Sequence, residues 1–198
     1  MNNREFLAEL EQYAQIHYVP IIKPETGRLI SILGNILKPK RILEIGTAIG
    51  YSAIIMSSFL DEEGKIDTIE RNYEMVAIAH SNIKKAGLDN VINIIAGEAA
   101  DILPNINKKY DMIFLDAAKG QYLEFLPEIL RLLRPEGLFV ADNVLYKGLV
   151  EGNEISARKT RTIINNMRSF IEEISNNASL LTSILPIGDG VAVCYKKK

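Results

Sequence analysis

Apolar residues in this chain alternate between two patterns, and the alternation sets the expected architecture. Short apolar runs with strand character occupy residues 41–45, 65–70, 91–96, 110–115 and 137–141, and stretches of helical period lie between them at 51–60, 73–86 and 121–133. Strands alternating with helices predict a parallel sheet covered by helices on both faces, because a parallel crossover needs a helix-length connection. Two more helical stretches, 4–16 and 24–37, come first, separated by Tyr18-Val19-Pro20. Pro24 suits a first helical turn, where the N–H it lacks has no intrahelical partner in any case. Gly87 predicts the stop of the helix before it, and Pro127 is the expected point of any kink in 121–133.

The rhythm breaks after Asn143. Residues 144–153 read as a loop and 156–175 as a polar helix. Two apolar runs, 180–186 and 191–195, then flank Ile187-Gly188-Asp189-Gly190, where Asp-Gly signals an antiparallel hairpin. The expected fold is therefore α/β, a doubly wound, seven-stranded, mainly parallel sheet of Rossmann-like type closed by an antiparallel C-terminal hairpin. With 198 residues, one domain is expected over 1–198, its helices at 1–38 covering the site and its sheet core spanning 39–198.

Composition removes several classes. A hydrophobic share of 47% with 24% charged residues argues against disorder, collagen-like repeats and a membrane protein. Arg4, Glu5, Glu9 and Glu11 interrupt the N-terminal stretch, so it reads as neither signal nor transit peptide. No run approaches the roughly 18 apolar residues of a membrane span, and the expected location is cytoplasmic. A net charge of −2 gives no bulk attraction to nucleic acid but leaves a local basic patch open. Cys194 is the only cysteine and sits in an alternating apolar run, which excludes an intrachain disulfide and points to a buried strand residue. His17 and His80 have no partner at ligand spacing, so a histidine metal site and Ser-His-Asp chemistry are poorly supported.

Candidate chemistry sits at the carboxyl ends of the strands, where open α/β sheets bind ligands. The first strand leads into Glu44-Ile45-Gly46-Thr47-Ala48-Ile49-Gly50-Tyr51-Ser52. Gly46 and Gly50 let the backbone turn tightly and approach a ligand, and the next helix offers amide groups at its start. A dinucleotide fingerprint needs glycine at position 48, where this chain has alanine. Glu44 would repel a phosphate and attract an ammonium group, which fits S-adenosylmethionine. Glu70 ends the second strand, 24 residues after Gly46, where a carboxylate can accept both hydrogen bonds of a ribose diol. Gly97-Glu98-Ala99 follows the third strand on the same edge, facing where an adenine would lie. Each feature alone is also compatible with an ordinary solvated loop; their order within one βαβ unit makes the case.

The fourth and fifth strands end in Asp116-Ala117-Ala118-Lys119 and Asp142-Asn143. Two carboxylates and an amide oxygen make a hard donor set suited to magnesium, manganese or calcium. Such an ion acts as a Lewis acid that lowers a hydroxyl pKa, which is what methyl transfer to oxygen requires. Lys119 is a candidate general base or oxyanion stabiliser, or else a plain surface lysine.

These residues, together with Ile69-Glu70-Arg71-Asn72 and Asp142-Asn143-Val144-Leu145, resemble the catechol and caffeoyl-CoA type O-methyltransferases over nearly the whole chain. Within that family the chain looks most like the bacterial tRNA 5-hydroxyuridine methyltransferases, at Val19-Pro20-Ile21-Ile22, Lys119-Gly120-Gln121-Tyr122, residues 144–150 and Pro186-Ile187-Gly188-Asp189-Gly190. The resemblance implies magnesium bound by Asp116, Asp142 and Asn143, with Asp116 also near the methionine end of the cofactor. It implies further cofactor contacts from Ile22, Ser52, Glu70 and Glu98, and a homodimer. Glu98 departs from the family pattern, where an aspartate or small polar residue is expected. From residue 147 to 168, Lys147, Arg158, Lys159, Arg161 and Arg168 face only Glu151 and Glu154, an excess that suits phosphates around an extruded base or a plain solvated face. Tyr122 and Tyr146 are candidates to stack on that base, or to be buried. The implied acceptor is a tRNA anticodon hydroxyuridine, the alternative a small catechol-like or phenolic hydroxyl, and a rival of another class is a nucleotide-binding module without chemistry.

Overall fold

The computed structural model describes residues 3–145 and 158–198. Its elements run α1 (Asn3–His17), α2 (Pro24–Leu37), β1 (Arg41–Ile45), α3 (Tyr51–Ser57), β2 (Lys65–Glu70), α4 (Tyr73–Lys85), β3 (Ile92–Ala96), α5 (Ala99–Ile102), β4 (Tyr110–Leu115), α6 (Tyr122–Leu132), β5 (Leu133–Ala141), α7 (Arg158–Asn176), β6 (Leu180–Leu185) and β7 (Val191–Lys196). Seven strands form one sheet in the order β3-β2-β1-β4-β5-β7-β6. β1–β2, β2–β3 and β4–β5 pair in parallel, and β5–β7 and β6–β7 are antiparallel. The mainly parallel sheet with an antiparallel C-terminal hairpin is the architecture that the alternating pattern predicts. Among the described residues no helix is long and apolar enough to cross a membrane. The chain divides into two compact units, Met1–Ala99 and Ala100–Lys198.

In the first unit the pairings Ile45↔Ile69 and Glu70↔Ala96 bring the carboxyl ends of three strands to a common level. Ile42, Leu43, Ile45, Ile66 and Ile69 are almost wholly buried, as strands covered on both faces must be. Each such side chain contributes roughly 1.5–3 kcal/mol by leaving water. Helix α2 opens with Pro24 in its first turn and packs so close to Phe59 that a Cβ at Gly34 would lie 2.3 Å from the ring. Helix α4 starts on Asn72, whose side chain accepts from the Glu74 and Met75 amides, and ends on Lys84 and Lys85, which suit its negative pole.

In the second unit β4 is buried along its whole length, and its pairing with β5 aligns Leu115 with Ala141. The buried stripe of α6, Tyr122, Phe125, Leu126, Ile129 and Leu132, has the three-and-four spacing of a core-facing helix. Phe170 of α7 meets the rings of Tyr122 and Phe139 edge-on, at centroid separations of 5.4 and 6.3 Å. Cys194 is buried in β7, as its apolar setting predicts.

Several boundaries differ from the sequence pattern. β5 begins at Leu133, not at 137, because Tyr110 already pairs with Leu133 before the register shifts near Met112. Between them Glu136 adopts φ 64°, a local irregularity that apolar periodicity does not reveal. Helix α3 stops at Ser57, and α5 with the 3-10 turn Leu103–Asn105 is too short to show a period. Helix α6 continues unbroken through Pro127. The expected loop beyond residue 145 and the expected helical residues 156 and 157 lie outside the described residues.

Candidate active site

The loop after β1 is tied down from several directions in the first unit. Gly46 (φ 106°) and Thr47 donate their N–H groups to the Ile69 carbonyl at 3.0 and 3.2 Å, and Gly50 (φ 84°) donates to the Thr47 carbonyl at 2.8 Å. Ala48, itself at φ 46°, donates its N–H to Glu70 Oε2 at 2.9 Å, while Asn72 N–H reaches Glu70 Oε1 at 2.8 Å. Glu70 therefore fixes the loop, and with two oxygens and about four lone-pair sites it keeps acceptor capacity for a ribose diol. Asn82 of α4, buried, donates from Nδ2 to the Ile49 carbonyl at 2.9 Å. Sequence reasoning missed Asn82. The available signal was a polar residue on the same helix stripe as Val76, Ala79 and Ile83.

Glu44 is fully enclosed. Its Oε1 accepts from Ser52 Oγ and its Oε2 from Thr68 Oγ1, both at 2.5 Å, and the Thr68 hydroxyl also contacts Thr47 Oγ1 at 2.5 Å. The Glu44 oxygens keep acceptor capacity, but with no exposed surface Glu44 meets a ligand ammonium directly only if the groups that cover it move aside. Glu44, Gly46, Ser52 and Glu70 are thus joined through one loop and the two strands beside it. Gly97 donates its N–H to the Glu70 carbonyl at 2.8 Å, but the Glu98 side chain is half exposed and stands 3.9 Å from Arg71. An exposed pair at that distance adds little to stability. Ile22 is buried beside Gly27 of α2.

In the second unit the acidic residues emerge one position beyond the Leu115↔Ala141 pair, so two neighbouring strands deliver them together. Asn143 donates its side-chain nitrogen to Asp116 Oδ1 at 3.2 Å and its backbone N–H to Asp142 Oδ1 at 2.8 Å. Lys119 Nζ lies 3.7 Å from Asp116 Oδ1. Burial pushes the Asp116 carboxyl above its usual range, and the charge of Lys119 and its hydrogen bond oppose that shift. Asp142 is buried, more completely than Asp116. Tyr122 is wholly buried with its hydroxyl donated to the Asp142 carbonyl at 3.0 Å, so of the two alternatives it is the buried tyrosine and not a platform for an extruded base. Burial, with the charges of Asp116 and Asp142, pushes the Tyr122 hydroxyl well above its ordinary pKa and keeps it a donor. Tyr146 and Lys147 lie outside the described residues; Arg161 and Arg168 are exposed on α7.

The donor set suits a hard divalent ion: the carboxylates of Asp142, buried, and Asp116, partly exposed, with the Asn143 amide against Asp116. Among the described residues no three His, Cys, Asp or Glu side chains cluster as an ion site, and Asn143 is the amide that stands beside the two carboxylates. Its amide nitrogen now faces Asp116, and turning the amide over presents the oxygen without moving the backbone.

Known proteins share this arrangement of elements. A catechol O-methyltransferase of Niastella koreensis is 35% identical over 185 residues, covering 89% of this chain and 82% of the relative. A structure of a candidate caffeoyl-CoA O-methyltransferase from Staphylococcus aureus superposes with a TM-score of 0.90 at 36% identity, covering 96% of this chain and 91% of that one. An O-methyltransferase of Bacillus cereus, solved with S-adenosylhomocysteine, gives 0.87 at 28% identity over 98% of this chain and 91% of its own. Residues 1–197 match the family described as O-methyltransferase, and the chain belongs to that family.

Proposed function

We propose that this protein is an S-adenosylmethionine-dependent O-methyltransferase that works with a hard divalent ion, magnesium foremost, and methylates 5-hydroxyuridine at the tRNA wobble position to 5-methoxyuridine. The observation that carries the chemistry is the contact of Asn143 with both acids, 3.2 Å to Asp116 and 2.8 Å to Asp142 at the ends of paired strands. The S-adenosylhomocysteine bound by the Bacillus cereus relative supports the choice of cofactor.

In this reading Glu70 accepts the ribose hydroxyls, the Gly46 loop carries the methionine portion near Ser52, and the loop at Glu98 borders the adenine. Asp116, Asp142 and Asn143 hold the ion. When bound, the cofactor supplies a methyl group already activated by positive sulfur, and the ion supplies the Lewis acidity that makes a hydroxyl acidic. Lys119, 3.7 Å from Asp116, takes the acceptor proton or stabilises the oxyanion that its loss leaves. The remaining demand on the protein is alignment, which rigid strand ends meet better than free loops.

Support for the hydroxyuridine acceptor comes from the sequence segments named above and from Arg161 and Arg168, exposed on α7. A second reading, a small catechol-like or phenolic acceptor, is favoured by the Niastella koreensis relative. Purified protein incubated with labelled S-adenosylmethionine, with and without magnesium, and offered either hypomodified tRNA or catechol separates the two. Label in tRNA as methoxyuridine supports the first reading; label in catechol alone replaces it with the second. Label in neither, with cofactor binding intact, removes both acceptors. The reading also carries a single methyltransferase domain over residues 1–198 and a homodimer, the latter checked by light scattering.

A further inference from the structure

The chain just after Asp142 and Asn143 is held by residues far away in sequence. Val144 donates its N–H to the Gly190 carbonyl at 2.9 Å, and Leu145 donates to the Asp189 carbonyl at 3.0 Å. On the other side, Asp142 N–H is donated to the Leu115 carbonyl at 2.9 Å and the Asp142 carbonyl accepts from Tyr122. The Asp142-Asn143 segment is therefore anchored at one end to β4 and at the other to the β6–β7 turn. Between the anchors Asn143 sits at φ 60°, a left-handed conformation that asparagine enters more readily than most residues but still against a steric penalty.

The turn is shaped for close approach. Gly190 adopts φ 90° and donates its N–H to the Ile187 carbonyl at 2.9 Å. A Cβ added there would lie 2.4 Å from Leu145 Cγ, 2.6 Å from its Cβ and 2.8 Å from its backbone nitrogen. That nitrogen is the very atom bonded to Asp189, so a larger residue at 190 must push the 144–145 backbone away from the turn.

We propose that the Asp189-Gly190 turn is a positioning brace: by holding residues 144 and 145 it keeps Asn143 left-handed and fixes how the oxygens of Asp116, Asp142 and Asn143 are arranged for a divalent ion. Gly190 acts only through residues 143–145 and is no ligand itself. The inference rests on the metal reading given above. A turn that merely closed the hairpin would influence stability without favouring ion binding over cofactor binding.

Mn2+ binding followed by the spin resonance of free Mn2+, and S-adenosylhomocysteine binding followed by calorimetry on the same preparations, test this. Gly190→Ala is expected to weaken Mn2+ binding about ten-fold or more and to leave the S-adenosylhomocysteine affinity within about two-fold. Leu145→Gly in that background removes two of the three close contacts and is expected to recover part of the Mn2+ affinity. Slow hydrogen exchange of the Val144 and Leu145 amides in the metal-free wild type is the companion expectation and needs no variant. The brace is overturned by fast exchange there, by Mn2+ affinity in Gly190→Ala equal to wild type, or by loss of both ligands together. Wild-type protein that binds no Mn2+ overturns the metal reading itself, and this inference with it.

Discussion

Replacing Glu70 with alanine removes two kinds of interaction whose sizes can be worked out separately. The carboxylate accepts the Ala48 and Asn72 amides at 2.9 and 2.8 Å, tying the loop after β1 to the end of β2. Hydrogen bonds to a charged group contribute about 1.5–3 kcal/mol each, and solvent competition at a half-buried side chain brings these toward about 1 kcal/mol apiece. The lost ribose contact adds a further 1–2 kcal/mol or so, and part of the loop term also falls on binding, because the freed loop must be ordered again. Cofactor affinity should therefore drop by about 2–4 kcal/mol, roughly 30- to 1000-fold in Kd. The fold loses about 1–2 kcal/mol, a fall in Tm of roughly 2–8 °C for a chain of this length. Titration calorimetry with S-adenosylhomocysteine measures the first quantity and thermal unfolding the second. At saturating cofactor kcat should stay within about three-fold of wild type, since neither interaction is specific to the transition state. Glu70→Gln should recover less than half of the loss, its NH2 facing one of the two donors. Wild-type affinity in Glu70→Ala would refute the placement of the ribose, and a kcat collapse at saturation would refute the division between binding and chemistry.

Three further expectations follow from the geometry. Asp142→Ala should abolish magnesium-stimulated turnover while the variant still binds S-adenosylhomocysteine, and undiminished wild-type activity in a chelator would contradict the role given to the acidic pair. Tyr51 donates its hydroxyl to Glu11 Oε1 at 2.5 Å, and burial first, then that bond and the charge of Glu11, push its pKa far above the ordinary value. Because the folded value is raised, the contribution is fully present below the unfolded pKa near 10 and is lost as pH climbs through the folded one. Alkaline unfolding of Tyr51→Phe should thus show its deficit, about 1–2 kcal/mol, below that pH and converge with wild type above it. Burial pushes the Cys194 thiol up to about 11, partly offset by its hydrogen bond with Thr182, so a thiol reagent should react only on unfolding; rapid reaction with native protein would show that β7 is less well covered than it looks.

The legible parts of the site are those that depend on strand order alone. Glu44, Glu70, Asp116 and Asp142 could be read as strand-end acids because strands alternate with helices and a parallel sheet sends all its carboxyl ends to one edge. What each acid does there was not legible. Glu44 carries the same signal as Glu70, yet its oxygens meet the Ser52 and Thr68 hydroxyls, whereas those of Glu70 meet backbone amides of the loop. Tyr122 could as well have been an exposed stacking platform. The edge-on contact with Phe170, 48 residues on, decides for burial and turns its hydroxyl toward Asp142.

The sequence by itself determined the fold class, most of the strand positions and the family, because these follow from local periodicity, turn residues and motif order, which are properties of neighbours along the chain. Tertiary structure alone decided the supports. Asn82 on the Ile49 carbonyl, the register shift that starts β5 at Leu133, and the meeting of Gly190 with Leu145 all join residues that are far apart in sequence or displaced in register. Such contacts arise where packing brings distant backbone within a few ångströms, and no pattern of hydrophobic spacing encodes a distance of that kind.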